Sequence, residues 1–137
     1  MTIHTLYELV QYSVKSFASK VAFAMYGGEE LSYAEVGTRV KHVQDLLIGA
    51  GLKAGDKVAL LSSNMPNWCV SYLAVTSAGM VAVPILPDFS TEELEMIIAH
   101  SEAKALMVSD KLFAKLAKST IESLHIVIRT KNLGVIA

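Results

Sequence analysis

The stretch Gly55 to Pro87, G-D-K-V-A-L-L-S-S-N-M-P-N-W-C-V-S-Y-L-A-V-T-S-A-G-M-V-A-V-P-I-L-P, decides the fold. It reads as strand, helix, strand. Val58 to Leu61 is a short continuous apolar run, as expected of a strand buried on both faces. Ser62, Ser63 and Asn64 interrupt it. Pro66 suits the first turn of a helix, where its missing N–H is no loss. Gly79 suits the end of that helix, since it takes a left-handed conformation without a Cβ clash. Met80 to Leu86 is the second apolar run, and Pro84 within it points to a strand end or a bulge. Two parallel strands joined by a helix form one right-handed crossover unit.

The flanking segments extend this unit. Upstream, Leu6, Leu9, Val10, Val14 and Phe17 recur at helical spacing, and Thr5 with Glu8 makes a possible capping box. Val21 to Tyr26 and Leu31 to Tyr33 flank Gly27-Gly28 and two glutamates, a hairpin signal. From Tyr33 a second helix carries Val36, Val40, Val43, Leu47 and Ala50 as one apolar stripe. Arg39, Lys41, His42, Gln44 and Asp45 fall mostly on its other faces, and Gly49 and Gly51 end it. Downstream, Ser90 and Glu93 have capping-box spacing before Leu94, Ile97 and Ile98. Ala105 to Val108 is a strand, Asp110 is expected to cap a helix through about Ser119, and His125 to Ile128 is a further strand. Candidate parallel strands begin near positions 57, 81, 105 and 125. Helices between strands at that spacing predict an α/β fold with an open, mostly parallel doubly wound sheet, helices on both faces and an N-terminal β-hairpin. Residues 1–137 read as one unit with no internal boundary. The chain stops on an apolar run, Leu133 to Ala137, with no helix to close the layer. It is therefore expected to be the front part of a longer protein.

Composition narrows the function. The net charge is −1 and the pI about 6.4, so no basic field awaits nucleic acid and no polybasic patch awaits a membrane. Apolar residues make up 53% and charged residues 18%, which points to a large core or to apolar surface meant to be covered. A single cysteine, Cys69, forbids an internal disulfide and favours a reducing, cytoplasmic location. The N-terminus lacks the pattern of a signal peptide, and no run reaches the roughly 20 apolar residues of a membrane span.

Chemical motifs are sparse. Gly49 to Gly55 resembles a dinucleotide fingerprint, but it follows a helix and precedes a strand, the reverse of the order phosphate binding requires. His4, His42, His100 and His125 are scattered, without ligand spacing. Cys69 lies beside Trp68 inside a helix and reads as an inert thiol. Ser62, Ser63 and Asn64 lie at the carboxyl end of a central strand, where open α/β sheets hold ligands. The preferred reading is that they cap the following helix. Asp88, after the next strand, is treated alike. Trp68, Tyr72 and Met80 are candidates for an acyl pocket, with core packing the default.

The ordered landmarks L-S-Y-A-E-V, G-L-K-A-G-D-K-V-A-L-L-S-S-N-M-P-N-W, S-Y-L-A-V-T-S-A-G-M-V-A-V-P-I-L-P and S-T-E-E-L-E-M-I-I-A-H-S-E-A-K-A-L resemble the N-terminal part of the AMP-forming acyl-CoA synthetases, from about Tyr7 to Val108. The resemblance implies an enzyme that forms an acyl-adenylate from ATP with Mg²⁺ and then an acyl-CoA thioester, expected to be of the long-chain fatty acid type. ATP, Mg²⁺ and coenzyme A would serve the longer enzyme, with none bound by these 137 residues. A carrier-protein-loading acyl-AMP ligase and a free-standing flavodoxin-like binding module are the alternatives. The family's phosphate loop, ribose-binding acid and C-terminal lysine have no counterpart in this chain, and Lys104, Lys111, Lys115, Lys118 and Lys131 match no catalytic motif. No catalytic, cofactor-binding or metal-binding residue is therefore assigned. The expected partners are the rest of the synthetase and, through uncovered apolar surface and a bare sheet edge, a second copy of the chain.

Overall fold

The first strand of the opening stretch, Lys57–Leu61 (β3), sits in the middle of the molecule, and Val58 to Leu61 are all fully buried. The computed structural model describes residues 2–137. Before β3 come a helix, Leu6–Ser16 (α1), a hairpin of Val21–Ala24 (β1) and Glu30–Ser32 (β2), and a long helix, Tyr33–Gly49 (α2). After it come Pro66–Ser77 (α3), Val81–Pro84 (β4), Thr91–Ser101 (α4), Ala105–Val108 (β5), the short helices Asp110–Phe113 (α5) and Lys118–Glu122 (α6), and Ile126–Arg129 (β6).

β1 and β2 pair antiparallel, while the other four strands form a parallel sheet in the order β4-β3-β5-β6. Strand residues alternate between the two faces. Val58, Leu60, Ala105, Met107, Ile126 and Ile128 join one core with α2 and α3. Ala59, Leu61, Leu106, Val108 and Val127 join a second core with α4 and α5. The expected fold class, a parallel sheet covered on both faces, is the one observed.

Local rules account for the helix ends. Ser32 and Ser90 each accept a hydrogen bond from the residue three positions on, and Glu35 and Glu93 answer with full capping boxes. Thr5 accepts from the Glu8 N–H, but the Glu8 carboxylate accepts from His4 N–H rather than from Thr5. Pro66 is the first residue of α3, and Gly79 leaves it with φ +77°. Pro84 ends the edge strand β4, where a missing donor is tolerated.

Two expectations fail. Asp110 caps no long helix: its segment is split into α5 and α6, neither with a side-chain cap, and the Asp110 carboxylate instead accepts from Arg129 Nε at 2.6 Å. The terminal run does not leave the edge of β6 bare. The chain reverses at Thr130 to Leu133, with Leu133 at φ +57°, and Gly134 to Ala137 pairs antiparallel along the outer side of β6. Arg129 N–H donates to the Gly134 carbonyl at 2.7 Å and Ile136 N–H to that of Val127 at 2.8 Å.

Candidate functional site at the carboxyl edge of the sheet

The chain leaves β3 toward β4 on one side and β5 toward β6 on the other, so the topological switch lies between β3 and β5. Open α/β sheets bind ligands in the crevice beyond the strand ends at such a point. Here the crevice is bordered by Ser62 to Asn64 after β3, Ser109 and Asp110 after β5, and Arg129 and Thr130 at the end of β6.

Ser62, Ser63 and Asn64 do not cap α3. The cap position belongs to Met65, which has no side-chain oxygen. The buried Ser62 hydroxyl donates to the Ser63 carbonyl at 2.9 Å, and Ser63 and Asn64 are exposed. Pro66 removes one orphan donor at the first helical position, and the Trp68 N–H donates to the Met65 backbone carbonyl at 2.9 Å in place of a side-chain cap. Asp88 is exposed in the turn between β4 and α4.

The residue that organises this edge is Asn67, in the first turn of α3 and 5% exposed. Its Nδ2 donates to the carbonyls of Thr130 at 2.9 Å and Lys131 at 3.0 Å. Its Oδ1 accepts from Arg39 Nη1 at 2.7 Å. Arg39 in turn forms a two-pronged pair with Glu29 at the hairpin tip, at 3.2 and 3.0 Å. Its hydrogen bonds hold the Glu29 carboxyl below its ordinary range, against the opposing effect of burial. Thr130 is fully buried, and among the described residues its hydroxyl has no hydrogen-bond partner.

The polar side of α2 is therefore not simply solvated. Arg39 reaches α3, Gln44 donates to the Ala74 carbonyl and the Ser77 hydroxyl, and His42 Nε2 lies 3.0 Å from the Leu133 carbonyl. Sequence spacing assigned these residues to outer faces because amphipathic periodicity sorts by polarity and is silent on what a polar side chain meets. Asn67 also escaped notice: its partners lie 28, 63 and 64 positions away, beyond the reach of any local pattern.

Trp68 and Tyr72 stack, with ring centroids 5.6 Å apart and planes 9° from parallel. Trp68 and Cys69 line an apolar cleft of about 490 Å³ whose other wall is β1. Burial pushes the Cys69 thiol up, which keeps it protonated and inert at neutral pH. Met80 is core. His4, His42, His100 and His125 do not converge, and among the described residues no three His, Cys, Asp or Glu side chains cluster as metal ligands would. Several polar groups at the carboxyl edge are already engaged. The Ser62 hydroxyl, the Asn67 amide and the Asp110–Arg129 pair are spent on the protein itself, and α3 begins on a proline.

A doubly wound sheet with an N-terminal hairpin supports many chemistries, so the deciding observation is the sequence match. Residues 10–135 match the family described as AMP-binding enzyme. The chain belongs to that family. Over 124 residues this AMP-binding chain is 31% identical to the probable CoA ligase CCL9 of Humulus lupulus, covering 89% of itself and 24% of that protein. It is 30% identical over 114 residues to the long-chain-fatty-acid–CoA ligase of Bacillus subtilis, covering 83% of itself and 20% of that protein. Tyrocidine synthase 3 of Brevibacillus parabrevis shares 28% over 116 residues, or 85% of this chain and 2% of that one. Among solved structures, the anthranilate CoA ligase AuaEII in complex with anthranoyl-AMP superposes with a TM-score of 0.82 at 21% identity, over 92% of this chain and 25% of that chain. The AMP-binding chain thus spans about a quarter or less of the length of these relatives, and its fold is one part of their larger domain. No helix among the described residues is long and apolar enough to cross a membrane.

Proposed function

We propose that the chain is the sheet-bearing scaffold of an ATP- and Mg²⁺-dependent ligase that activates a carboxylic acid as its adenylate and passes the acyl group to coenzyme A. The family match over residues 10–135 carries this reading. Residues 1–137 act as one unit, because the two cores share a single sheet. The residues of the carboxyl edge position chain segments rather than phosphates, so adenylation falls to parts of the enzyme outside this chain. A fatty acid is the preferred substrate, supported by 30% identity with the fatty-acid ligase of Bacillus subtilis. Transfer to a carrier protein is the second reading, favoured by the likeness to Tyrocidine synthase 3. A reducing, cytoplasmic compartment suits the lone thiol.

Two assays test this. The 137-residue chain, given ATP, Mg²⁺ and fatty acids, should release no pyrophosphate; clear turnover overturns the scaffold reading. The product of the complete gene should exchange pyrophosphate into ATP with long-chain fatty acids and form their CoA thioesters. Exchange with aryl or amino acids alone refutes the fatty-acid assignment.

A further inference from the structure

The hairpin stands apart from the main sheet: among the described residues β1 and β2 pair only with each other. Its two strands are held unequally. β2 is anchored, since Leu31 is fully buried and Ser32 caps α2. β1 is not: Ala22 and Phe23 are half-buried, and Val21 and Ala24 are exposed. Ala22 and Phe23 line two apolar clefts, one of about 490 Å³ shared with Trp68 and Cys69, the other of about 120 Å³ shared with Leu9 and Leu73. A strand bordered by two clefts lacks the close packing of a native interior, and loosely packed segments are the first to open. A bulge between Val21 and Phe23 interrupts the pairing with β2 and gives the hairpin a place to bend.

The hydrogen bonds repeat this division. Among the described residues, those joining Val21 to Leu31 to anything beyond the hairpin are the two from Arg39 to Glu29, at 3.2 and 3.0 Å. The tip closes on itself: Met25 N–H donates to the Glu29 carbonyl at 2.7 Å and Gly28 N–H to that of Met25 at 2.8 Å. It can therefore move as one piece. Arg39 is held from the other side. Its Nη1 also donates to Asn67 Oδ1 at 2.7 Å, and the Asn67 amide holds the loop after β6. The guanidinium thus has a fixed mount on the body and an acceptor on the hairpin, Glu29, whose side chain is 51% exposed. An ion pair this open to water is weak by itself, so the contact is reversible.

We propose that the outer part of the hairpin, Phe23 to Glu30, is a flap over the cleft at Trp68 and Cys69, latched shut by the Glu29–Arg39–Asn67 chain. Release of Glu29 frees the tip. The hairpin then bends at its bulge while Leu31 stays in the core, and the two clefts join where Ala22 and Phe23 now border both. The closed flap limits the access of solutes to the larger cleft. The latch lies wholly within this chain and needs no substrate, so it stands or falls independently of the pyrophosphate assays.

Cys69 is the only cysteine of the chain and Trp68 its only tryptophan, and both line the cleft. Labelling of Cys69 by an uncharged maleimide therefore reports opening. Arg39→Gln should speed that labelling about 10-fold and Glu29→Gln about 3-fold. Quenching of Trp68 fluorescence by acrylamide should rise in the same order. The labelling rates should stay flat in urea below the unfolding transition, since a local opening exposes little surface. Amide exchange in β3 should keep its wild-type protection. Where Arg39→Gln does not fold, Glu29→Gln, at an exposed side chain, carries the test. Labelling unchanged in a folded variant, or faster only in step with β3 exchange, overturns the latch.

Discussion

The carboxamide of Asn67 spends both amide protons and its oxygen on two segments far apart in sequence: Arg39 on α2, and the carbonyls of Thr130 and Lys131 after β6. Truncating it leaves buried polar groups without partners. Asn67→Ala should cost about 2–3 kcal/mol, read as a lower urea midpoint with an unchanged slope. An indifferent midpoint would mean that the loop after β6 is held by other contacts. Charge pairs add a pH dependence. Lys104 Nζ lies 2.9 Å from Asp56, and with the Lys53 N–H it holds that carboxyl below its ordinary range, as Arg39 does for Glu29. Both folded-state values lie below the unfolded ones. Their contribution is therefore present above about pH 4 and is lost as pH falls through the lowered values. Urea melts between neutral and acid pH should show stability falling in that window. The double variant Glu29→Gln, Asp56→Asn should flatten the fall; an identical acid profile would refute the assignment.

Elements differ in how firmly sequence specifies them. α4 was legible because its capping box and apolar spacing agree, α2 from its apolar stripe and the glycines that end it, and the opening strand and α3 because a buried run, a proline and a glycine each demand one conformation. α5 and α6 were not. No cap marks their ends, and an ion pair with β6 decides where Asp110 points. The contact between α1 and α2 was equally hidden. A Cβ built on Gly37 would lie 2.7 Å from Val14 Cγ1, so the two helices touch through a missing side chain. Helix propensity alone would make Gly37→Ala stabilising by about 1 kcal/mol. Overpacking should reverse the sign and give a net loss of about 1–2 kcal/mol. Val14→Ala in the same chain should recover part of that loss, and a double-mutant cycle with no coupling would show that α1 moves aside freely. At the start of α4, Ser90→Ala should cost about 1 kcal/mol in thermal or urea unfolding, since it removes the acceptor for the Glu93 N–H.

Over the whole molecule, stability is graded from the sheet outward. β3 and β5 lie between two cores with every one of Val58 to Leu61 and Ala105 to Val108 buried, whereas α1 buries Val10 alone and α6 buries nothing. Amide hydrogen exchange should be slowest in β3 and β5, faster in α4, and fastest in α1 and α6. Equal protection throughout would indicate unfolding in a single step. The doubly wound plan was readable from the spacing of strand candidates, because each crossover needs a minimum length. The carboxyl-edge network was not, because it joins residues that no periodicity relates.

The pairing of Gly134 to Ala137 along β6 has a consequence for how such molecules can assemble. Stacking sheet upon sheet into an endless fibre requires two free sides on every unit, one to receive and one to give. The main sheet has given up one of its sides to its own chain, and the other ends in Pro84 on β4. Through that sheet, growth has no second side from which to continue.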